Sequence, residues 1–258
     1  MSWTRYVAIG DSFTEGLGDP YPGNPGSWRG WADRVAEELA GRTDAFTYAN
    51  LAIRGRLLGQ IIDGQLPEAL ALQPDLVSLS GGGNDLLRPG TDVNALGAWL
   101  DDAVGRLRAA GADVILFTGV DPTDTPLIRR TRGRVAAFNE HINAIARHRG
   151  AYVVDQWTMR VLCDWRMWGA DRLHMSPAGH RRVALAVLET LGLPVEAGWR
   201  EPLPPLPELG RGARLLREMR WTRTYLFPWM VRRLRGQSSG DHITAKRPGL
   251  SPYPPFPR

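Results

Sequence analysis

The first 190 residues alternate short apolar runs with amphipathic stretches, and this alternation restricts the fold more than any other feature. The apolar runs with strand character are 3–10, 46–52, 75–80, 113–120 and 151–155. The stretches with helical periodicity are 27–41, 56–72, 92–110, 128–149 and 176–191. Strands joined through helices form right-handed crossovers, which give a mostly parallel sheet covered on both faces. We therefore predict an α/β fold of three layers, α/β/α, around a five-stranded parallel sheet.

The character of the chain changes after the last of these helices. Ser176 and Pro177 mark its start, and Gly192 and Pro194 mark its end. Residues 202–207 contain four prolines, which is typical of an extended linker. We therefore predict a folded domain over residues 1–199. Residues 200–258 are predicted to form a Pro-rich linker, a short basic aromatic helix at about 211–227 and an irregular C-terminal tail.

The net charge of +5 is unevenly distributed. Residues 200–258 carry twelve Lys and Arg against four Asp and Glu, so this segment has a charge of +8 and residues 1–199 have −3. Docking onto the folded domain or onto a second subunit is one interpretation of its four aromatic residues, Trp221, Tyr225, Phe227 and Trp229. Peripheral contact with an anionic membrane is another. No nucleic-acid-binding motif accompanies the charge, so we expect no nucleic-acid partner.

Cysteine content and hydropathy indicate in which cellular compartment the protein is expected. Cys163 is the single cysteine, which excludes an intrachain disulfide framework. No uninterrupted apolar run approaches the ~20 residues that a membrane-spanning helix needs. The N-terminal residues show no charged region followed by an apolar one, as a secretory signal would. We therefore expect a cytoplasmic protein.

Chemically versatile residues follow several of the predicted strands. Ser12 comes after the first strand, Gly55 lies in the segment after the second, and Asn84 follows the third. Asp171 and His174 lie in the long connection after the fifth strand. An open parallel sheet places its ligand site outside the carboxyl ends of its strands. We therefore expect these residues to meet at one edge of the sheet.

These residue types together supply what nucleophilic catalysis requires. A serine hydroxyl attacks poorly unless an imidazole takes its proton, and His174 is the candidate base for Ser12. Asp171, three residues before His174, can accept a hydrogen bond from the other ring nitrogen. The candidate donors to an oxyanion are the backbone N–H groups of Ser12 and Gly55 and the side-chain amide of Asn84. Gly59 also follows the second strand, so it remains an alternative to Gly55.

Several neighbouring residues have plainer interpretations. Asp11 and Asp85 flank candidate catalytic residues, and each is expected to hydrogen-bond loop backbone. His180, six residues past His174, is expected to lie on the surface of the last helix. Three tryptophans could either pack their loop against the domain or line a substrate pocket; they are Trp157, Trp165 and Trp168.

Four blocks of sequence, in this order, resemble the SGNH/GDSL hydrolase family. They are Gly10-Asp11-Ser12-Phe13-Thr14-Glu15-Gly16, Gly55, Gly82-Gly83-Asn84-Asp85 and Asp171-Arg172-Leu173-His174. The resemblance implies a flavodoxin-like sheet of strand order 2-1-3-4-5 and a serine esterase mechanism. It also implies catalytic roles for Ser12, Gly55, Asn84 and His174, with Asp171 completing a triad.

The resemblance leads us to expect a serine hydrolase that cleaves carboxylic esters, small acyl or acetyl esters in the first place, through an acyl-enzyme. A thioesterase, a lysophospholipase and a carbohydrate deacetylase of the same family are alternatives. A further alternative is a non-catalytic ligand-binding module with a basic membrane-surface tail. The common metal-binding and nucleotide-binding motifs are absent from the sequence, so we expect neither a metal nor a cofactor.

Overall fold

The central sheet of the protein has six strands within the part of the chain that the computed structural model describes, residues 3–122, 128–207, 210–228, 231 and 239–253. The strands in chain order are β1 (Arg5–Gly10), β2 (Pro20–Tyr21), β3 (Asn24–Trp28), β4 (Thr47–Asn50), β5 (Leu76–Ser80), β6 (Asp113–Phe117), β7 (Tyr152–Val154) and β8 (Arg247–Pro252). The order of strands in the sheet is β7-β6-β5-β1-β4-β8, and a separate hairpin pairs β2 with β3.

Helices cover both faces of the sheet, so the predicted three-layer α/β fold is confirmed. In chain order they are α1 (Ser12–Glu15), α2 (Gly30–Ala40), α3 (Leu58–Gln60), α4 (Leu66–Ala71), α5 (Gly83–Leu86), α6 (Val93–Ala109), α7 (Arg132–Arg149), α8 (Pro177–Thr190) and α9 (Arg211–Trp221). One buried cluster lies between the sheet and α2 and α8. The other lies between the sheet and the helices from α3 to α7. None of the helices within the described residues is long and apolar enough to cross a membrane.

The predicted strand order 2-1-3-4-5 is confirmed for the five parallel strands. Counted without the hairpin, β4, β1, β5, β6 and β7 are the second, first, third, fourth and fifth strands. All four pairings between them are parallel. The sheet order therefore reverses beside β1, which places the ends of β1 and β5 next to each other at the switch point where such folds bind ligands.

Strand β1 ends in a tightly enclosed backbone. A Cβ atom on Gly10 would lie 2.5 Å from Thr14 Oγ1 and 2.6 Å from the Ser80 carbonyl oxygen, so only glycine fits there. The side-chain amide of Gln65 bonds both backbone groups of Gly10, accepting from its N–H at 2.8 Å and donating to its carbonyl at 2.9 Å. The direction in which the chain leaves the sheet toward Ser12 is therefore held from several sides.

The sheet differs from the prediction in having a sixth strand. Residues 247–252, which we expected to be irregular, form β8 and pair antiparallel with β4 at the edge of the sheet. Proline is tolerated in an edge strand because its missing N–H can face away from the neighbouring strand. The segment Arg-Pro-Gly-Leu-Ser-Pro shows no alternation of apolar and polar residues, so sequence pattern alone did not identify it.

Side chains on either side of β8 tie it to the folded domain. The Lys246 ammonium lies 2.8 Å from Asp33 Oδ1 and donates to the carbonyl oxygens of Trp28 and Arg29, both at 2.9 Å. The Tyr253 and Tyr21 hydroxyls are hydrogen-bonded at 2.6 Å. Residues 246–253 are thus held by polar contacts with the folded domain, whereas Trp229 and residues 254–258 lie outside the described residues.

Candidate active site

Ser12 lies where the chain leaves β1 and enters α1. Asp11 caps this short helix by accepting a hydrogen bond from the Phe13 N–H at 3.0 Å. Ser12 lines a cavity of about 410 Å³ whose wall also contains Ser80 and Phe117, the last residues of β5 and β6. The cavity therefore lies at the carboxyl ends of the central strands, where the sheet topology predicts a ligand site.

Asp171 and His174 form a hydrogen-bonded pair. The ring Nδ1 of His174 lies 2.6 Å from Asp171 Oδ2, and the other carboxylate oxygen accepts the backbone N–H groups of Leu173 and His174, both at 3.0 Å. Burial acts to raise the pKa of Asp171, but these hydrogen bonds and the His174 ring hold it below its ordinary value. An ionised Asp171 fixes the proton on Nδ1, so Nε2 is the basic nitrogen of the ring.

The side-chain amide of Asn84 links two of the predicted blocks. Its Nδ2 donates to Asp11 Oδ2 at 3.1 Å and to the Arg56 carbonyl at 3.0 Å. Asn84 lies in α5, directly after β5, and its side chain is thereby oriented by the turn that carries Ser12. This contact between Asp11 and Asn84 was not predicted from the sequence.

Gly55, and not Gly59, is the glycine at the cavity. Gly55 lines the cavity and has a φ of +75°, a left-handed conformation that favours glycine. Gly59 lies in α3, where a Cβ atom would face the ring of Trp99 at 3.8 Å. The position rather than the sequence spacing distinguishes the two glycines.

The structure brings the predicted site residues together around one cavity. Ser12, Gly55, Asn84 and His174 all line it, and Asp171 is joined to His174 by the hydrogen bond described above. Among the described residues, no hydrogen bond joins the Ser12 hydroxyl to His174. Such pairs are often loosely aligned in the absence of substrate. Groups far apart in sequence thus face a common space.

Asp11 and Asp85 were expected to hydrogen-bond loop backbone; each does accept a backbone N–H, but from the first turn of a helix, α1 for Asp11 and α3 for Asp85. Asp85 accepts the Leu58 N–H at 3.0 Å. Burial raises the pKa of Asp11 to about 6, against the opposing effects of the Phe13 N–H and of nearby His174. A carboxyl group whose pKa is raised to about 6 therefore adjoins the candidate nucleophile in sequence and contacts Asn84.

His180 is not a surface residue, and the prediction that it is one was wrong. Its side chain is fully buried: Nδ1 accepts the Trp31 N–H at 3.1 Å, and Nε2 lies 3.0 Å from the Leu17 carbonyl. Burial lowers its pKa to about 4, so the ring is neutral and Nε2–H donates to Leu17. His180 thus joins α8 to α2 and to the segment between α1 and α2, and its burial follows from the packing of α8 on α2.

Of the three tryptophans in the long connection after β7, some line the cavity and others pack the loop, so both interpretations offered for them apply. Trp165 and Trp168 line the cavity. The Trp168 indole N–H also donates to the Leu162 carbonyl at 2.7 Å, which fixes the loop. Trp157 packs against the guanidinium of Arg132, 4.9 Å from its ring centroid. Pocket lining and loop packing therefore coexist in this segment.

The chain belongs to the GDSL-like lipase/acylhydrolase family. A profile of this family matches residues 8–182, more than half of the chain, and this range contains all five predicted site residues. The resemblance noted in the sequence is thereby confirmed. A search of curated proteins finds no match.

Solved structures of other proteins share the fold. TesA is 27% identical to this chain and superposes with a TM-score of 0.58, covering 72% of this chain and 97% of its own. Axe2, an acetylxylan esterase from Geobacillus stearothermophilus, is 23% identical with a TM-score of 0.61, covering 76% and 100%. LAE5, an alpha/beta hydrolase enzyme from the metagenome of Lake Arreo, Spain, is 23% identical with a TM-score of 0.62, covering 73% and 95%.

The raised pKa of Asp11 predicts a pH-dependent stability difference. Because its folded pKa of about 6 exceeds the ordinary value of 3.8, the native chain binds more protons than the unfolded chain between these values. The wild type therefore gains stability as the pH falls through this window. Relative to Asp11→Asn, the wild type should gain about 1 kcal/mol in its free energy of unfolding as the pH falls from about 8 to about 5, measured by urea unfolding.

Asp101→Asn is the control for this measurement. The hydrogen bond from Arg149 lowers the pKa of Asp101, so its titration contributes only at pH values below the window. The difference between wild type and Asp101→Asn should therefore stay constant over the same pH range. An equally constant difference for Asp11→Asn would contradict the raised pKa of Asp11.

Proposed function

We propose that this protein is a serine hydrolase that cleaves carboxylic esters through an acyl-enzyme. Ser12 Oγ attacks the ester carbonyl carbon while Nε2 of His174 takes the hydroxyl proton. Asp171 holds the Nδ1 proton and stabilises the imidazolium that forms. His174 then protonates the departing alcohol, and it next activates the water that releases the acid and regenerates Ser12.

One observation carries this proposal. Ser12, the Asp171–His174 pair and two candidate oxyanion donors surround a single cavity, although they come from four separate segments of the chain. A module that only binds ligand has no need of a serine, a carboxylate-oriented histidine and amide donors in one place. The membership of an acylhydrolase family agrees with this chemistry.

The proposed oxyanion hole is formed by the backbone N–H groups of Ser12 and Gly55 and the amide of Asn84. Both hydrogens of the Asn84 amide already have acceptors, Asp11 and the Arg56 carbonyl. We therefore expect the oxyanion to share one of these hydrogens or to displace its acceptor. Each such donor contributes about 3 kcal/mol to lowering the barrier.

A buried ion pair holds the backbone next to Gly55. Glu15 accepts the Arg54 N–H at 2.7 Å and also pairs with the Arg54 guanidinium, and its side chain is 5% exposed. Glu15 belongs to α1, the helix that begins with Ser12. The ion pair therefore fixes the N–H of Gly55 relative to the nucleophile, and we assign Glu15 and Arg54 as positioning residues.

The cavity wall favours substrates with an apolar acyl chain. Its lining includes apolar side chains from α7 and from the end of α5 and the residue after it; they are Leu86, Leu87, Val135, Phe138 and Ile142. Its volume of about 410 Å³ lies within the ~300–1,000 Å³ range of small-molecule sites. We therefore propose that short and medium acyl esters are better substrates than acetyl esters.

Replacement of the nucleophile tests the reaction itself. We expect Ser12→Ala to lower kcat for a chromogenic butyrate ester by at least about 10³-fold. The wild type should form a covalent adduct with a fluorophosphonate probe at Ser12, seen by mass spectrometry of the intact chain. Ser80→Ala is the matched control, since Ser80 also lines the cavity, and it should retain labelling and turnover. Normal turnover by folded Ser12→Ala would refute the mechanism.

Substitutions at two buried glutamates distinguish an effect on catalysis through positioning from an effect on stability. Glu15→Gln and Glu37→Gln each break a buried ion pair, with Arg54 and with Arg29, and each should lower the free energy of unfolding by about 3 kcal/mol. Only Glu15→Gln should lower kcat, by about tenfold with KM unchanged, because only Glu15 holds the backbone beside Gly55. Equal loss of kcat in both variants, measured well below their melting temperatures, would show that Glu15 acts through stability alone.

A series of p-nitrophenyl esters tests the acyl preference. Each methylene buried in the cavity should raise kcat/KM about fourfold, since its transfer from water contributes about 0.8 kcal/mol. Butyrate should therefore exceed acetate by about 15-fold. Val135→Phe, whose larger side chain would occupy part of the cavity, should abolish this gain in kcat/KM. Ala137→Phe, on the exposed side of α7, should not. A preference of the wild type for acetate would instead support an acetyl esterase.

A further inference from the structure

Helix α9 is attached to the segment that carries His174. Arg172 donates two hydrogen bonds to the Glu218 carboxylate, at 2.6 Å and 2.9 Å. The guanidinium of Arg172 also lies 5.2 Å from the ring centroid of Trp165 and 4.6 Å from that of Trp221. Arg172 and Trp165 both line the cavity. Glu218 and Trp221, three residues apart, therefore define the side of α9 that faces the folded domain.

The other side of α9 presents apolar side chains to water. Leu215, Leu216 and Met219 are 62%, 68% and 61% exposed, and their three- and four-residue spacing places them together on one face. We call these three residues the apolar stripe. Phe227, just beyond the helical turn that continues α9, is 64% exposed. Large apolar side chains grouped in this way on a surface indicate a binding site.

The helix is also strongly basic. Residues 211–223 contain five arginines and a single acidic residue, Glu218, which is paired with Arg172. Arg220 and Arg223 are exposed next to the apolar stripe. Arginines flanking an apolar face, on a helix of low overall hydropathy, are typical of helices that lie in the interface of an anionic membrane. Charge and exposed apolar surface thus point to the same kind of partner.

We propose that α9 binds the surface of an anionic phospholipid membrane. The apolar stripe enters the boundary between headgroups and acyl chains, and the arginines lie among the lipid phosphates. A second copy of this chain fits less well, because a two-fold interface through this face would bring one set of arginines against the other. A nucleic acid would pair with the arginines but would leave the apolar stripe in water. Through Arg172, the bound helix keeps the segment carrying His174 close to the lipid.

Vesicle cosedimentation tests this proposal independently of any catalysis. The full chain is mixed with vesicles of phosphatidylcholine alone or of an equimolar mixture with phosphatidylglycerol. We expect binding to the mixed vesicles only, weakening as salt is added because the lipid charge is screened. Ser12→Ala should bind as the wild type does, so failure of the proposed function and failure of membrane binding are distinguishable.

Variants of α9 test each part of the interaction. Replacing all three residues of the apolar stripe with alanine should weaken binding by at least about tenfold, since each change removes apolar surface that the lipid would bury. Alanine is the strongest helix former, so α9 should persist. Arg220→Gln with Arg223→Gln should weaken binding by about 25-fold, about fivefold for each charge.

Matched variants on α6 serve as controls. Trp99→Ala removes an apolar side chain that is 51% exposed, and Arg106→Gln removes an exposed cation. Both should bind vesicles as the wild type does. Equal binding to both kinds of vesicle, or wild-type binding by the alanine triple variant, would overturn the proposal. So would a dimer in analytical ultracentrifugation that the triple variant loses.

Discussion

The position of strand β1 at the centre of the sheet is the constraint on which the rest of the structure depends. It pairs with β4 on one side and with β5 on the other, and residues 6–9 are wholly inaccessible to solvent. A strand held on both edges and both faces cannot shift register without exposing its apolar side chains. Because the backbone of Gly10 is enclosed as well, the direction in which the chain continues from β1 is fixed. The hydrophobic core therefore determines where Ser12 lies.

The polar groups around the cavity are held by one another as well as by the core. Asp11 orients Asn84, Glu15 holds the backbone before Gly55, and Asp171 orients His174. Buried polar groups are tolerated only when they are hydrogen-bonded, and removing one member leaves another unsatisfied. This dependence makes the site rigid, which is what proposed oxyanion donors require, because they contribute only if they are already oriented when charge develops.

Most of the sheet and its helices could be predicted, because the apolar residues that they bury recur in the sequence at the regular spacing of a strand or a helix. The five parallel strands and the helices between them were predicted within a few residues, and residues 211–221 form the predicted basic helix. Strand β8 was missed because its pairing depends on anchors such as Lys246 and Tyr253, whose partners lie some 200 residues away. His180 was misplaced because a single sequence does not show which face of α8 meets α2.

The sequence by itself determined the class of fold, the family and the residue types available for chemistry, since local periodicity and short motifs carry that information directly. Only the tertiary structure decided which groups meet: that Gly55 rather than Gly59 reaches the cavity, that Asp11 contacts Asn84, and that α9 turns its apolar stripe outward. The physical reason is that these outcomes depend on contacts between segments far apart in the chain. Such contacts are selected by packing and burial, which no local pattern encodes.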